Sequence, residues 1–211
     1  GQIHRHRGQA AQFGLGVGAI LTPIGEPLST IVVSRLGLNF WSLLDQLGIY
    51  IIPGIIILGI MGAGYGSKEK GKLDNNEEIV IGETNKLIII RAIKIFLFII
   101  ALELLGEGFK PIIEAYILPL DTRYLYWVNM SSAVLDNATL AAAEISVKMS
   151  PEQIKAVLIG LLVSGGIMIP GNIPNIISAG KLKITSKEWI KVGAPIGITI
   201  MLIYYIVLFV F

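Results

Sequence analysis

Two carboxylates stand where an apolar chain has least use for them. Glu26 lies inside Gly18 to Ser29, GAILTPIGEPLS, and Asp136 lies at Asp136-Asn137-Ala138-Thr139, where two short apolar arms of Arg123 to Lys148 meet. An acid at the centre of a membrane helix costs roughly 3 kcal/mol, so carboxylates there call for a cation, a proton or a basic partner. Neutral oxygens surround them in sequence: Asn137, Thr139 and Ser132 near Asp136, and Thr22, Asn172 and Asn175 at two interruptions described below. Oxygen-only sets suit hard cations such as sodium. Asp136 and Glu26 can each hold either a proton or a cation, and that competition is the simplest coupling of one to the other. The plainer alternative is a carboxylate that caps a half-helix or pairs with Arg91 or Lys94. For any single Ser, Thr or Asn it is satisfaction of the local backbone. Glu144, on the second arm, is either a relay carboxylate or faces a watery cavity. Glu103, Glu107 and Glu114 are expected at the outer interface, with Arg91 and Lys94 snorkelling inward.

Other chemistries find no support. The chain has no cysteine, and its two histidines, His4 and His6, lie at the start. Thiolate metal sites, disulfides and zinc chemistry are therefore unexpected. No phosphate-binding loop, metalloprotease or nucleophile-elbow pattern occurs. The chain reads as a non-enzyme without catalytic residues or a bound cofactor, sodium entering only as transported ligand. A net charge of +2 is too small to suggest nucleic acid.

The elements that must hold these groups read as an all-α integral membrane protein. Of 211 residues, 54% are hydrophobic and 15% charged, with a mean hydropathy of +0.73. Apolar stretches near Ser42 to Gly64, Leu87 to Leu105 and Val192 to Phe211 each approach the roughly 20 residues that span a bilayer core. Between them, Ser164 to Ser178, SGGIMIPGNIPNIIS, cannot form an unbroken helix, because Pro170 and Pro174 remove donors and crowd the preceding turn. Gly18, Pro23 and Pro27 repeat as Gly165, Pro170 and Pro174 at a spacing of 147 residues. Paired interruptions in two halves point to a transporter binding site. Residues 1–64 are thus the end of a first repeat, 65–85 a polar linker and 86–211 a second repeat with its own re-entrant hairpin. Gly106 to Thr122 reads as an interfacial or re-entrant piece, Pro53 as a kink, and Ser150-Pro151 as the capped start of a helix. Trp41, Trp127 and Trp189 are expected as interface anchors or packing residues.

Counting crossings with Gly106 to Thr122 outside the count makes the two broken helices run in opposite directions. Ten Lys and Arg then fall on one side and five on the other, which makes the first side cytoplasmic.

These motifs resemble the ion transporter superfamily, and most closely NhaD-type sodium/proton antiporters and related uncharacterised prokaryotic cation transporters. Thr22-Pro23-Ile24-Gly25-Glu26-Pro27 is similar to the antiporters' TPIGD-type break, with glutamate for aspartate. Ser132-Ala133-Val134-Leu135-Asp136-Asn137 resembles their second hairpin motif, and Ser164 to Ser178 their second break, although Pro170-Gly171-Asn172 lacks serine. The resemblance implies inverted repeats, each with a hairpin and a broken helix, and cargo held between them. By that pattern the chain is expected to be N-terminally truncated. It also implies a multi-pass protein of a prokaryotic plasma membrane whose partners are a cation, a proton, the lipid bilayer and, optionally, a second copy in a homodimer. Sodium-coupled or proton-coupled anion carriage, of an oxyanion or dicarboxylate, is the alternative. A non-transporting membrane subunit is the second alternative.

Overall fold

A computed structural model describes residues 18–66 and 85–210. The basic lead around His4 to Arg7 and most of the polar linker lie outside the described residues. The described elements are α1 (Pro27–Leu36), α2 (Ser42–Gly66), α3 (Asn85–Ile112) with a π-helical turn (Ile113–Ile117), α4 (Thr122–Val128) with a 3-10 turn (Asn129–Ala133), α5 (Asn137–Glu144), α6 (Pro151–Gly165), a 3-10 turn (Ile169–Gly171), α7 (Ile173–Leu182) and α8 (Ser186–Phe209). Among the described residues every regular element is helical.

The centre of the fold is α6. Ser150 accepts from the Gln153 amide at 3.2 Å and Gln153 Oε1 accepts from the Ser150 amide at 3.0 Å, so a reciprocal cap starts the helix as Ser150-Pro151 predicts. Every residue from Ala156 to Gly165 is buried. A helix apolar on all sides belongs in a core, and α4, its 3-10 turn, α5 and α8 all pack on it.

Two helices, Ser42–Ile60 and Ser186–Phe209, are long and apolar enough to cross a membrane, with mean hydropathies of 2.0 and 2.2. They support membrane association by length and composition. The third expected span is helical, within α3, but Arg91, Lys94 and Glu103 set it apart from these two. Gly106 to Ile112 are not a piece of their own: they are the last turns of α3, whose 28 residues reach about 42 Å at 1.5 Å each. Pro53 lies inside α2, and the Tyr204 hydroxyl donates to the Tyr50 carbonyl at 2.8 Å just before it. Trp189 is fully packed and its indole donates to the Gly166 carbonyl at 3.2 Å, while Trp41 is exposed.

The duplicated break is a duplicated hydrogen-bond frame, and its register differs from the proline spacing. The bond from the Gly25 amide to the Thr22 carbonyl (3.1 Å) recurs from Gly171 to Met168 (3.3 Å), and that from Thr30 to Glu26 (3.2 Å) recurs from Ile176 to Asn172 (3.4 Å). The N-caps Glu26 (φ −156, ψ 162) and Asn172 (φ −155, ψ 159) share one extended conformation. At the other end, Leu38 to Val33 (3.0 Å) recurs as Ile184 to Ala179 (2.9 Å). Each pair is 146 residues apart, one fewer than the proline alignment. Pro27 is the first residue of α1, whereas Pro174 is the second of α7, and either first-turn position tolerates proline because its amide has no helical partner.

Both half-helices end in a left-handed cap, at Gly37 (φ 61) and at Lys183 (φ 51). Glycine adopts this conformation freely and lysine does not. Lys183→Gly is therefore expected to stabilise the protein by about 1 kcal/mol, read as a higher midpoint of thermal unfolding in detergent.

Candidate functional site

Two short helices bring the carboxylates together. Ile31 on α1 packs with Ala138 and Ala142 on α5 and Leu102 on α3. At one end of this pair, Glu26 lies against Asp136 and Asn137. At the other, the Arg35 guanidinium donates to the carbonyls of Ala142 and, at 3.3 Å, Ile145. The helices α1 and α5 therefore lie side by side and parallel, with both N-termini at the carboxylates and a cation on the carbonyl end of α5.

Glu26, Ser132, Asn137, Asn172 and Asn175 are all buried. Glu26 Oε1 and Asn137 Nδ2 have no hydrogen-bond partner although their side chains face each other. Asn137 also joins this pair to the second break. A methyl group on Gly165 would lie 3.3 Å from Ser132 Oγ, 3.4 Å from Asn137 Nδ2 and 3.1 Å from the Gly171 carbonyl oxygen. The first break, the second break and the hairpin tip thus meet around Asn137.

Close backbone approach makes that meeting possible. A Cβ on Gly171 would overlap the Gly165 carbonyl and come within 2.7 Å of the Ser132 carbonyl oxygen; one on Gly25 would overlap the Ala19 carbonyl at the equivalent place. Gly171→Ala is expected to destabilise by about 1–3 kcal/mol through overpacking. Faster proteolysis within residues 129–145 would check that the hairpin is what loosens.

Several expected ligands are engaged elsewhere. Asp136 is half-buried, and its Oδ2 accepts from the Thr139 amide at 3.0 Å and the Thr139 hydroxyl at 3.1 Å, as the N-cap of α5. Asn172 Oδ1 caps α7 through the Asn175 amide at 2.9 Å, and Asn175 Nδ2 donates to the carbonyls of Gly165 (2.9 Å) and Met168 (3.0 Å). Asn175 thereby ties off carbonyls that the second break frees. Thr22 contributes its carbonyl to the Gly25 turn. The residues brought to one place are Glu26, Asp136, Asn137 and Ser132, with the backbone of Gly165 and Gly171.

Residues that no motif singled out complete the polar interior. Ser164 Oγ lies 2.7 Å from the Asn129 carbonyl oxygen and 3.0 Å from Ser132 Oγ, and Ser132 Oγ donates to the Leu161 carbonyl at 2.9 Å. Asn129 is fully buried and its side chain meets Glu144. Its one legible signal is an amide in an arm otherwise apolar from Tyr124 to Met130. Among the described residues no group of three or more His, Cys, Asp or Glu could hold a metal ion. The carboxylates here are two, and any cation would also draw on neutral oxygens.

Among the described residues, fold and site define a helical protein with two membrane-length helices, two matching helix breaks and a buried carboxylate between them. The chain belongs to the family described as "Protein of unknown function (DUF1646)", whose model matches residues 7–211. No curated protein and no solved structure matches it.

Proposed function

We propose that the chain is part of a secondary transporter that exchanges a monovalent cation, sodium by its oxygen-only chemistry, for a proton across a prokaryotic plasma membrane. The observation that carries this reading is Glu26, buried with an unpartnered oxygen at a helix break, beside Asp136 and Asn137. Each break sets a helix C-terminus beside a helix N-terminus, and their partial charges, about half a unit of each sign, largely offset. The carboxylates then set the sign, and with one of them protonated the site carries a single negative charge, suited to one monovalent cation. Alternating access follows from two copies of the break in opposite orientation, with the lysine-rich side in the cytoplasm.

The test is transport in proteoliposomes carrying a pH gradient. Sodium uptake driven by an acidic interior supports the reading, and the absence of uptake with any alkali cation defeats it. One observation favours an anion instead: α1 and α5 aim both their N-termini at the site, and helix N-termini attract anions. Uptake of a labelled oxyanion or dicarboxylate without sodium/proton exchange would establish that second reading. No transport of either kind would leave the partner-subunit role.

A further inference from the structure

A second buried carboxylate lies on the hairpin, away from Glu26. Glu144, at the end of α5, is 7% exposed, and Asn129, at the end of the opposite arm, is wholly buried. The Asn129 amide lies beside Glu144 as a potential donor, yet Glu144 Oε2 and Asn129 Oδ1 are both buried without a hydrogen-bond partner. The orientation of the Asn129 amide is fixed, because Nδ2 donates to the Leu125 carbonyl at 2.8 Å and a flipped amide would set oxygen against oxygen there. One Nδ2 hydrogen is spent there, while Glu144 Oε2 and Asn129 Oδ1 each stay buried without a partner. An ionised Glu144 would bury a charge on a carboxyl with an unpartnered oxygen, which is unfavourable. One proton on the carboxyl removes the charge.

The charged groups around this end of α5 do not remove the need for that proton. Arg35, on α1, donates to the carbonyls of Ala142 and Ile145. On α3, Lys110 pairs with Glu107 at 3.5 Å, and beyond the π turn Lys148 pairs with Glu114 at 2.8 Å. On α6, Lys155 lies beside the Tyr50 hydroxyl at 3.4 Å.

We infer that Glu144 is a second proton-binding site, a buried carboxyl group that holds a proton near neutral pH. Buried polar groups lie between it and the first site. The Asn129 carbonyl, Ser164 Oγ and Ser132 Oγ follow one another at 2.7 and 3.0 Å, and Ser132 lies beside Asn137 against Gly165. The inference goes beyond the transport reading and stands without it, since protonation is read on the purified protein with no gradient and no sodium.

Infrared difference spectroscopy of the full chain in detergent at neutral pH tests it through the carbonyl stretch of protonated carboxyl groups. One such band is expected to disappear in Glu144→Gln and to persist in Glu26→Gln, with a downshift on exchange into heavy water. In Asn129→Leu the same band is expected at a changed frequency, as for a carboxyl whose neighbouring amide has been removed. That variant assigns the band if Glu144→Gln fails to fold. A spectrum in which neither substitution alters a protonated-carboxyl band, or in which Glu144 contributes only a carboxylate band, overturns the proposal.

Discussion

Glu26→Gln is expected to lower sodium/proton exchange in proteoliposomes by about 100-fold while leaving the protein as stable as before. The functional loss follows from removing the one fully buried charge-bearing group at the meeting point of the two breaks and the hairpin. A cation brought to such a site without its counter-charge loses roughly 3 kcal/mol, which is about 100-fold in affinity. Stability is preserved because glutamine keeps the volume and the polar contact with Asn137. It also ends the burial of a potential charge whose Oε1 has no partner. Exchange assays and thermal unfolding on the same preparation separate the two effects. Equal losses of activity and stability would mean that Glu26 is structural.

Asp136 is expected to split in the opposite way between two substitutions. As the N-cap of α5 it accepts both Thr139 bonds through Oδ2. Asparagine caps helices about as well as aspartate, whereas alanine costs about 1 kcal/mol. Asp136→Asn should therefore unfold at the wild-type temperature and Asp136→Ala at a lower one. If the charge beside Glu26 serves exchange, both lose transport by tenfold or more; a fully active Asp136→Asn would reduce Asp136 to a cap.

Much of this arrangement is legible in the chain because it is local. Two prolines within five residues break an apolar helix wherever they fall, and Ser150-Pro151 with Gln153 is a capping signal complete in four residues. The pairing of Glu26 with the hairpin tip is legible only as an expectation, since buried acids in an apolar chain have few reasons to exist. What the chain hides is of two kinds. The register of the repeat is carried by backbone hydrogen bonds, to which proline at the first or second helical position is indifferent, so the prolines mislead by one residue. The pairing of Asn129 with Glu144 depends on the hairpin closing, and no local pattern announces it.

Helix capping leaves its own mark in the chain. Asp136 with Thr139 and Asn172 with Asn175 stand at the three-residue spacing of helix caps, and both pairs spend hydrogen bonds that way. Capping and ligation compete for the same oxygens; Glu26 is itself the N-cap of α1, and what sets it apart is an oxygen, Oε1, buried without a partner.

The most direct measurement is proton release on adding sodium to the purified chain in weakly buffered detergent. Exchange at a Glu26-centred site predicts that sodium displaces protons from the wild-type protein and none from Glu26→Gln. No release from the wild type, or equal release from the variant, would contradict it.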